Sequence, residues 1–234
     1  RENYPCVEVI YATFVSKSRT KGGLSVRLSL LGVLGAVLLF SLAILPRVAF
    51  AEEEWFLTDK GCKVWGDSLQ PKDTATAIWS GSAKNGFATG QGILEWVLNG
   101  KPFQRFEGNM LNGKYNGKGI LTTAIGFRYE GDFVDGKFNG KGILALNKTL
   151  ILYEGDFVDG KYNGKGILTI GTTFRYEGDF DDGEFNGKGI LTWPNGDRFE
   201  GDFVDGRRNG RGIFYSHDST IIEGRWSNNS YVGP

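Results

Sequence analysis

The chain of 234 residues is poor in the residue types on which most enzyme chemistry is built. Its one histidine, His217, lies in Tyr215-Ser216-His217-Asp218-Ser219, a polar turn that suggests no fixed geometry between a base and a nucleophile. One histidine and two cysteines leave no cluster of the kind that holds zinc. The densest acidic run, Asp179-Phe180-Asp181-Asp182-Gly183-Glu184, lacks the ordered ligand spacing of a calcium loop. Asn139-Gly140-Lys141-Gly142 has the glycines and lysine of a phosphate loop but opens no helix. The expectation is a protein that is not an enzyme, with no catalytic, cofactor-binding or metal-ligating residue. Proline is scarce, at 6 residues, and aromatic residues make up 14%, which excludes a disordered composition.

Long apolar runs are also missing, with one exception. Lys17, Arg19, Lys21 and Arg27 precede an apolar stretch from Leu28 to Leu45, which Pro46 ends before Ala49-Phe50-Ala51. A basic start, an apolar middle and an Ala-x-Ala site predict a signal peptide over residues 1–51, cut after Ala51. Left uncut, the same segment is just long enough to anchor the chain in a membrane. Either way the remainder is expected to be exported across the cytoplasmic membrane, to the periplasm, the cell envelope or the medium. Beyond Ala51, 21 basic residues face 25 acidic ones, a net charge of −4 that offers no general attraction to nucleic acid or anionic lipid. Cys62 is then the one thiol left, so no internal disulfide is expected, and it is either buried or paired with another chain.

What the chain does have is glycine, 36 residues, roughly twice the usual share, and a repeat that carries it. Residues 129–142 read Tyr-Glu-Gly-Asp-Phe-Val-Asp-Gly-Lys-Phe-Asn-Gly-Lys-Gly, and the frame returns at 106–119, 153–166, 176–189 and 199–212. A worn copy occupies 79–92, and a truncated one begins at Ile222. Three segments follow: the signal peptide or anchor at 1–51, a lead-in or cap at 52–78, and an array of about seven units at 79–234. In the lead-in, a strand is expected near Lys63–Trp65, with Trp55 and Trp65 covering the open end of the array.

Each unit reads as a hairpin. Phe127, Tyr129, Gly131 and Phe133 alternate with Arg128, Glu130, Asp132 and Val134, the period of a strand. Asp135-Gly136 and Asn139-Gly140 supply turn chemistry, and the return strand starts at Gly142. Consecutive hairpins make an all-β, elongated, single-layer antiparallel sheet. The aromatic rows Tyr129, Tyr153, Tyr176, Phe199 and Phe133, Phe157, Phe180, Phe203 are expected to be core, each ring lying over a glycine gap of the neighbouring hairpin; Gly131, Gly155, Gly178 and Gly201 on the outgoing strands and Gly140 and Gly142 on a return strand supply such gaps. On the other face, a glutamate row and a lysine row should pair across strands and otherwise lie in solvent. A third aromatic row, Tyr115, Phe138, Tyr162, Phe185 and Tyr231, is not required by the turns. Either these rings fold back on the sheet, or they form a stripe for a partner surface, a glycan chain or a second copy.

The frame resembles the MORN repeat (membrane occupation and recognition nexus), through Tyr129, Gly131, Phe133, Asp135, Gly136, Gly140 and Gly142 and their equivalents over about 79–234. Ala83 departs from it in the first unit and Asn229 in the last. The resemblance implies a sheet of tandem hairpins and a role in interaction, scaffolding, self-association or membrane attachment. A non-catalytic interaction module on the outer side of the cytoplasmic membrane is the expectation. Phospholipid-surface binding, or glycan or cell-wall binding through the loop aromatics, are the alternatives. Protein partners or a second copy are expected, and nucleic acid is not.

Overall fold

The computed structural model describes residues 54–66, 75–147 and 150–234. The expected signal segment, 1–51, lies outside the described residues. The strands are β1 (Glu54–Leu57), β2 (Lys63–Gly66), β3 (Ala75–Trp79), β4 (Ser82–Lys84), β5 (Phe87–Leu98), β6 (Lys101–Leu111), β7 (Lys114–Thr123), β8 (Phe127–Val134) and β9 (Lys137–Leu146). They continue as β10 (Ile151–Val158), β11 (Lys161–Ile170), β12 (Phe174–Asp181), β13 (Glu184–Thr192), β14 (Arg198–Val204), β15 (Arg207–Tyr215), β16 (Ile221–Ser227) and β17 (Ser230–Gly233). From β5 onward each strand pairs antiparallel with the next, so the tandem hairpins form one open sheet.

The hairpin is made by two left-handed residues. Asp135 and Gly136 have φ of 50° and 86°, so the connection is a two-residue turn of the kind whose twist matches the flanking strands. Glycine takes that conformation without penalty, and aspartate tolerates it better than most side chains. Asn139-Gly140 is not a second turn. The pairing Gly131↔Gly142 changes to Asp132↔Asn139, so Gly140, with φ 60°, forms a bulge in the return strand. In two of the later hairpins an aspartate carboxylate accepts the backbone N–H freed at this bulge, Lys188 to Asp179 at 3.1 Å and Arg211 to Asp202 at 2.8 Å.

The core is a run of rings in glycine slots, but each slot belongs to the ring's own hairpin. A Cβ on Gly142 would lie 2.6 Å from the Tyr129 ring, and one on Gly131 would lie 2.6 Å from its hydroxyl. Tyr129 therefore crosses the paired glycines Gly131 and Gly142, and Tyr153 crosses Gly155 and Gly166 in the same way. The expectation of a neighbour's gap is corrected here: the strand carrying the tyrosine and its return strand already place two glycines side by side under it. Each tyrosine hydroxyl then donates to the backbone of its own strand, as Tyr129 does to the Asp132 carbonyl at 2.9 Å. Burial and the nearby aspartate raise the tyrosine pKa well above its ordinary value, so the hydroxyl stays neutral and donating. What the neighbour supplies is the cover: Phe157 meets Tyr129 edge-on at 5.2 Å, and Phe180 meets Tyr153 likewise.

The worn first unit keeps the device. Trp79 lies over Gly81 and Gly92, and its indole N–H donates to the Ser82 carbonyl at 2.8 Å. The lead-in forms the hairpin β1–β2, which includes the expected strand. Through its β1–β2 connection the lead-in covers the outer edge of the end strand β3, where Thr58 bridges Ala77, the Asp59 N–H donates to the Ala77 carbonyl at 3.0 Å and the Asp59 carboxylate accepts the Trp79 N–H at 3.1 Å, but it does so without the two expected tryptophans. It lies along the turns, with the Lys63 and Trp65 N–H groups donating to Gly86 and Gly113 and the Trp65 ring packed on Gly136. The carbonyl groups of two adjacent turns accept from it there. Cys62 is buried beside the Thr58 hydroxyl, 3.1 Å away, so of the two expectations for it burial is the one observed.

One hydroxyl is out of place in this core. Tyr162 is buried with its oxygen unpartnered, whereas Phe138 and Phe185 fill the equivalent positions. Tyr162→Phe should raise the unfolding free energy by about 1 kcal/mol, because it removes a desolvated group and leaves the ring stack intact. Urea unfolding of the two proteins measures this, and a loss of stability of similar size would contradict it.

Candidate functional site: a striped groove beside the buried rings

Of the two readings open for the loop aromatics, the structure shows the rings of four folded back on the sheet. Phe138 pairs with Phe133 across the turn, and its ring stacks on Tyr129 at 3.9 Å. Tyr115 stacks on Phe106, Tyr162 on Tyr153 and Phe185 on Tyr176, at 4.0, 3.7 and 3.7 Å. Tyr115, Tyr162 and Phe185 are buried and Phe138 is half-buried, so they close the slot over the first ring and leave no aromatic stripe. Tyr231 alone of the five is exposed. The glycan-binding alternative rested on that stripe and loses its surface.

Arg208 stands where the fifth loop aromatic would be. Its guanidinium lies 5.5 Å from the Phe199 ring centre and 4.6 Å from that of Trp226, with Trp193 and Phe214 within 6 Å. It donates to the Asn229 carbonyl at 2.7 Å. A planar cation on a ring face substitutes for a stacked ring, at the cost of the burial that lowers its pKa.

The opposite face holds the feature that sequence reasoning missed. There the sheet forms an open groove of about 1920 Å³ running across the hairpins. Its floor is the backs of the paired glycines, Gly131–Gly142 and their equivalents. Along it run Glu107, Glu130, Glu154, Glu177, Glu200 and Glu223, then Ile120, Ile143, Ile167, Ile190 and Ile213, then Lys118, Lys141, Lys165, Lys188 and Arg211. Each isoleucine sits between two glutamates, as Ile143 does between Glu130 and Glu154. Two strands at about 4.8 Å each give every row a repeat of roughly 9.6 Å. The signal was present: an isoleucine follows the last glycine of every good unit, on the face that charge assigns to solvent.

The charge pairing differs from the expected glutamate–lysine ladder. Glutamates pair along their own strand with an arginine two residues earlier, Arg105–Glu107 at 2.8 Å, Arg128–Glu130 at 2.6 Å, Arg175–Glu177 at 2.8 Å and Arg198–Glu200. Lysines reach forward to an aspartate of the next hairpin, Lys118–Asp132 at 3.1 Å, Lys141–Asp156 at 2.8 Å and Lys165–Asp179 at 2.6 Å. The register explains both. Glu130 faces Ile143 and not a lysine, whereas Asp132 and Asp156 lie directly across from Lys118 and Lys141. These exposed pairs contribute little stability each, but they leave the groove walls neutral along most of their length.

His217 belongs to a different place, the links between hairpins. Its Nδ1 lies 3.0 Å from Asp197 Oδ1, which also accepts the His217 backbone N–H at 2.9 Å. This fastens the link before β14 to the link after β15. The Ser216 hydroxyl is 3.4 Å from the same carboxylate and not from the imidazole, so the three groups do not form a nucleophile–base relay. The backbone and side-chain bonds from His217 lower the Asp197 pKa to about 2, and the bond to Asp197 raises that of His217, with Asp218 adding to it. A raised histidine value means the pair stabilises the fold below the ordinary histidine pKa and loses that contribution as pH rises through the raised value. NMR titration of the single imidazole should give a midpoint above 6.5 that falls in Asp197→Asn; an unchanged midpoint would contradict the contact.

The family model described as MORN repeat matches residues 106–128, 129–146, 153–172, 176–198 and 199–221. No curated protein matches the chain. Among solved structures, the chain is similar to the SAS-4 (dCPAP) TCP domain of Drosophila Melanogaster, solved in complex with a Proline Rich Motif of Ana2 (dSTIL). The identity is 13% and the TM-score 0.36, covering 73% of this chain and 88% of that one. The matched segments fall on the hairpins from β6 to β15, so five tandem segments of the chain match the MORN repeat model.

Proposed function

We propose that this chain is a non-catalytic interaction module on the outer side of the cytoplasmic membrane, and that it holds a protein partner or a second copy along the striped groove. MORN repeats act as interaction modules, which is compatible with this role. The observation that carries the reading is the groove itself. It offers a row of part-exposed isoleucines between walls whose charges are already largely paired. Such a surface gains from burying apolar area and does not need to strip water from many free charges. The same pairing counts against a phospholipid surface, since few free cations are left to meet anionic headgroups. The outward address rests on the basic, apolar and Ala-x-Ala pattern of residues 1–51.

The test is photo-crosslinking in intact bacterial cells producing the full chain. A photoreactive phenylalanine analogue at Ile190 samples the groove, and one at Val204 samples the exposed turn edge. The expected result is a discrete protein adduct from Ile190 and none from Val204, on a chain whose N-terminus is Glu52. Adducts from Val204 alone would overturn the groove, and adducts formed only on cytoplasmic chain would overturn the address.

A further inference from the structure

The groove is periodic except at one place, in its middle. Glu107, Glu130, Glu177 and Glu200 each have an arginine two residues earlier on the same strand and pair with it. On β10 that arginine is replaced by Leu152, and Glu154 has no ionic partner among the described residues. The strand beside it changes as well. Where Thr122 faces Arg128 and Thr192 faces Arg175, here Ala145 faces Leu152. Ile143 and Leu152 are each about 40% exposed, on one face and diagonal to each other across β9 and β10. Ile167 completes the patch on the other side of Glu154. Glu223, the other glutamate of the row without such an arginine, lies on β16, away from this patch. The central hairpin thus puts an unneutralised carboxylate inside a small apolar patch, between stretches of groove whose charges are paired.

Resting on the groove reading above, we propose that the β9–β11 segment is the anchor of the interface, and that it takes an extended peptide segment of a partner protein carrying a lysine or arginine beside a leucine or isoleucine. The basic group meets Glu154, and the aliphatic side chain seats on Ile143, Leu152 and Ile167. Charge complementarity decides the occupant. Among the described residues, Glu154 is the one charge of the central groove that a ligand can neutralise without breaking an existing pair, so a cation gains there and an anion is repelled. The floor of the seat is backbone, because positions 155 and 166 aim toward Tyr153 on the other face, and an extended backbone can approach it closely. A few desolvated contacts at the centre of a groove carry more of the affinity than its length.

The experiment selects 12-residue peptides from a random phage-displayed library on the immobilised full chain, and measures the recovered peptides by fluorescence anisotropy. The expected peptides carry a basic residue next to an aliphatic one. Their binding should fall at least tenfold in Leu152→Arg, which restores the arginine of the other repeats and satisfies Glu154, and also in Glu154→Gln. Circular dichroism melts of both variants should match the parent, since both positions are on the exposed face. Glu154→Lys should bind the same peptides again once their basic residue is exchanged for glutamate, a rescue that a merely destabilised variant cannot give. Selected peptides that respond to Ile190→Asp but not to Leu152→Arg or Glu154→Gln would overturn this anchor and leave the groove standing. Selected peptides indifferent to all of these variants, or no enrichment at all, would overturn the anchor and the groove together.

Discussion

An aromatic ring laid across two paired glycines is the contact on which this sheet depends. A single layer of strands has no second layer to bury its apolar face, and a hairpin on its own is marginal in water. Here the burial is achieved within the layer. Tyr129 lies flat in the gap made by Gly131 and Gly142, Phe138 stacks on its outer side, and the edge of Phe157 from the next hairpin closes the pocket. Each ring is thus enclosed by its own hairpin below and by the following hairpin at the side. The second contact joins the units, which is why the array is stable as a series of neighbours and not as independent hairpins.

The same glycine positions form the floor of the groove. A Cβ at 131 or 142 would point at Tyr129, so on the opposite face these positions present only backbone, as every second residue of a strand does. The groove follows the glycine pairs for this reason, and its walls are the residues that alternate with them. The strand period therefore fixes where the glutamate, isoleucine and lysine rows stand relative to the aromatic rows. Specificity then has to come from local departures, such as Leu152 where the other units place arginine.

Much of the fold was legible in the sequence because it depends on short-range chemistry. The two-residue turns, the alternation in 127–134 and the period of the units follow from Asp-Gly and from the spacing of Tyr129, Gly131 and Phe133. What was not legible depends on pairing between strands. Whether Asn139-Gly140 is a turn or a bulge is decided by the register of β8 against β9, and the same register decides that Tyr129 uses its own hairpin's glycine. The loop rings left two readings open because nothing in the turn needs them; only the stack of Phe138 on Tyr129 shows why an aromatic stands there. The groove was read as a solvated face because its charges are regular, although the isoleucine after each Gly-x-Gly is a poor choice for solvent.

The central claim is that Gly142 is glycine because the Tyr129 ring occupies the space of its Cβ. Gly142 does not adopt a left-handed backbone, so alanine tests the space and not the backbone conformation. A double-mutant cycle of Gly142→Ala with Tyr129→Ala, read by urea unfolding, measures the coupling directly. The account predicts that Gly142→Ala costs about 1–3 kcal/mol in the parent chain and far less once the ring is gone. An equal cost in both backgrounds, or no cost in either, would contradict it.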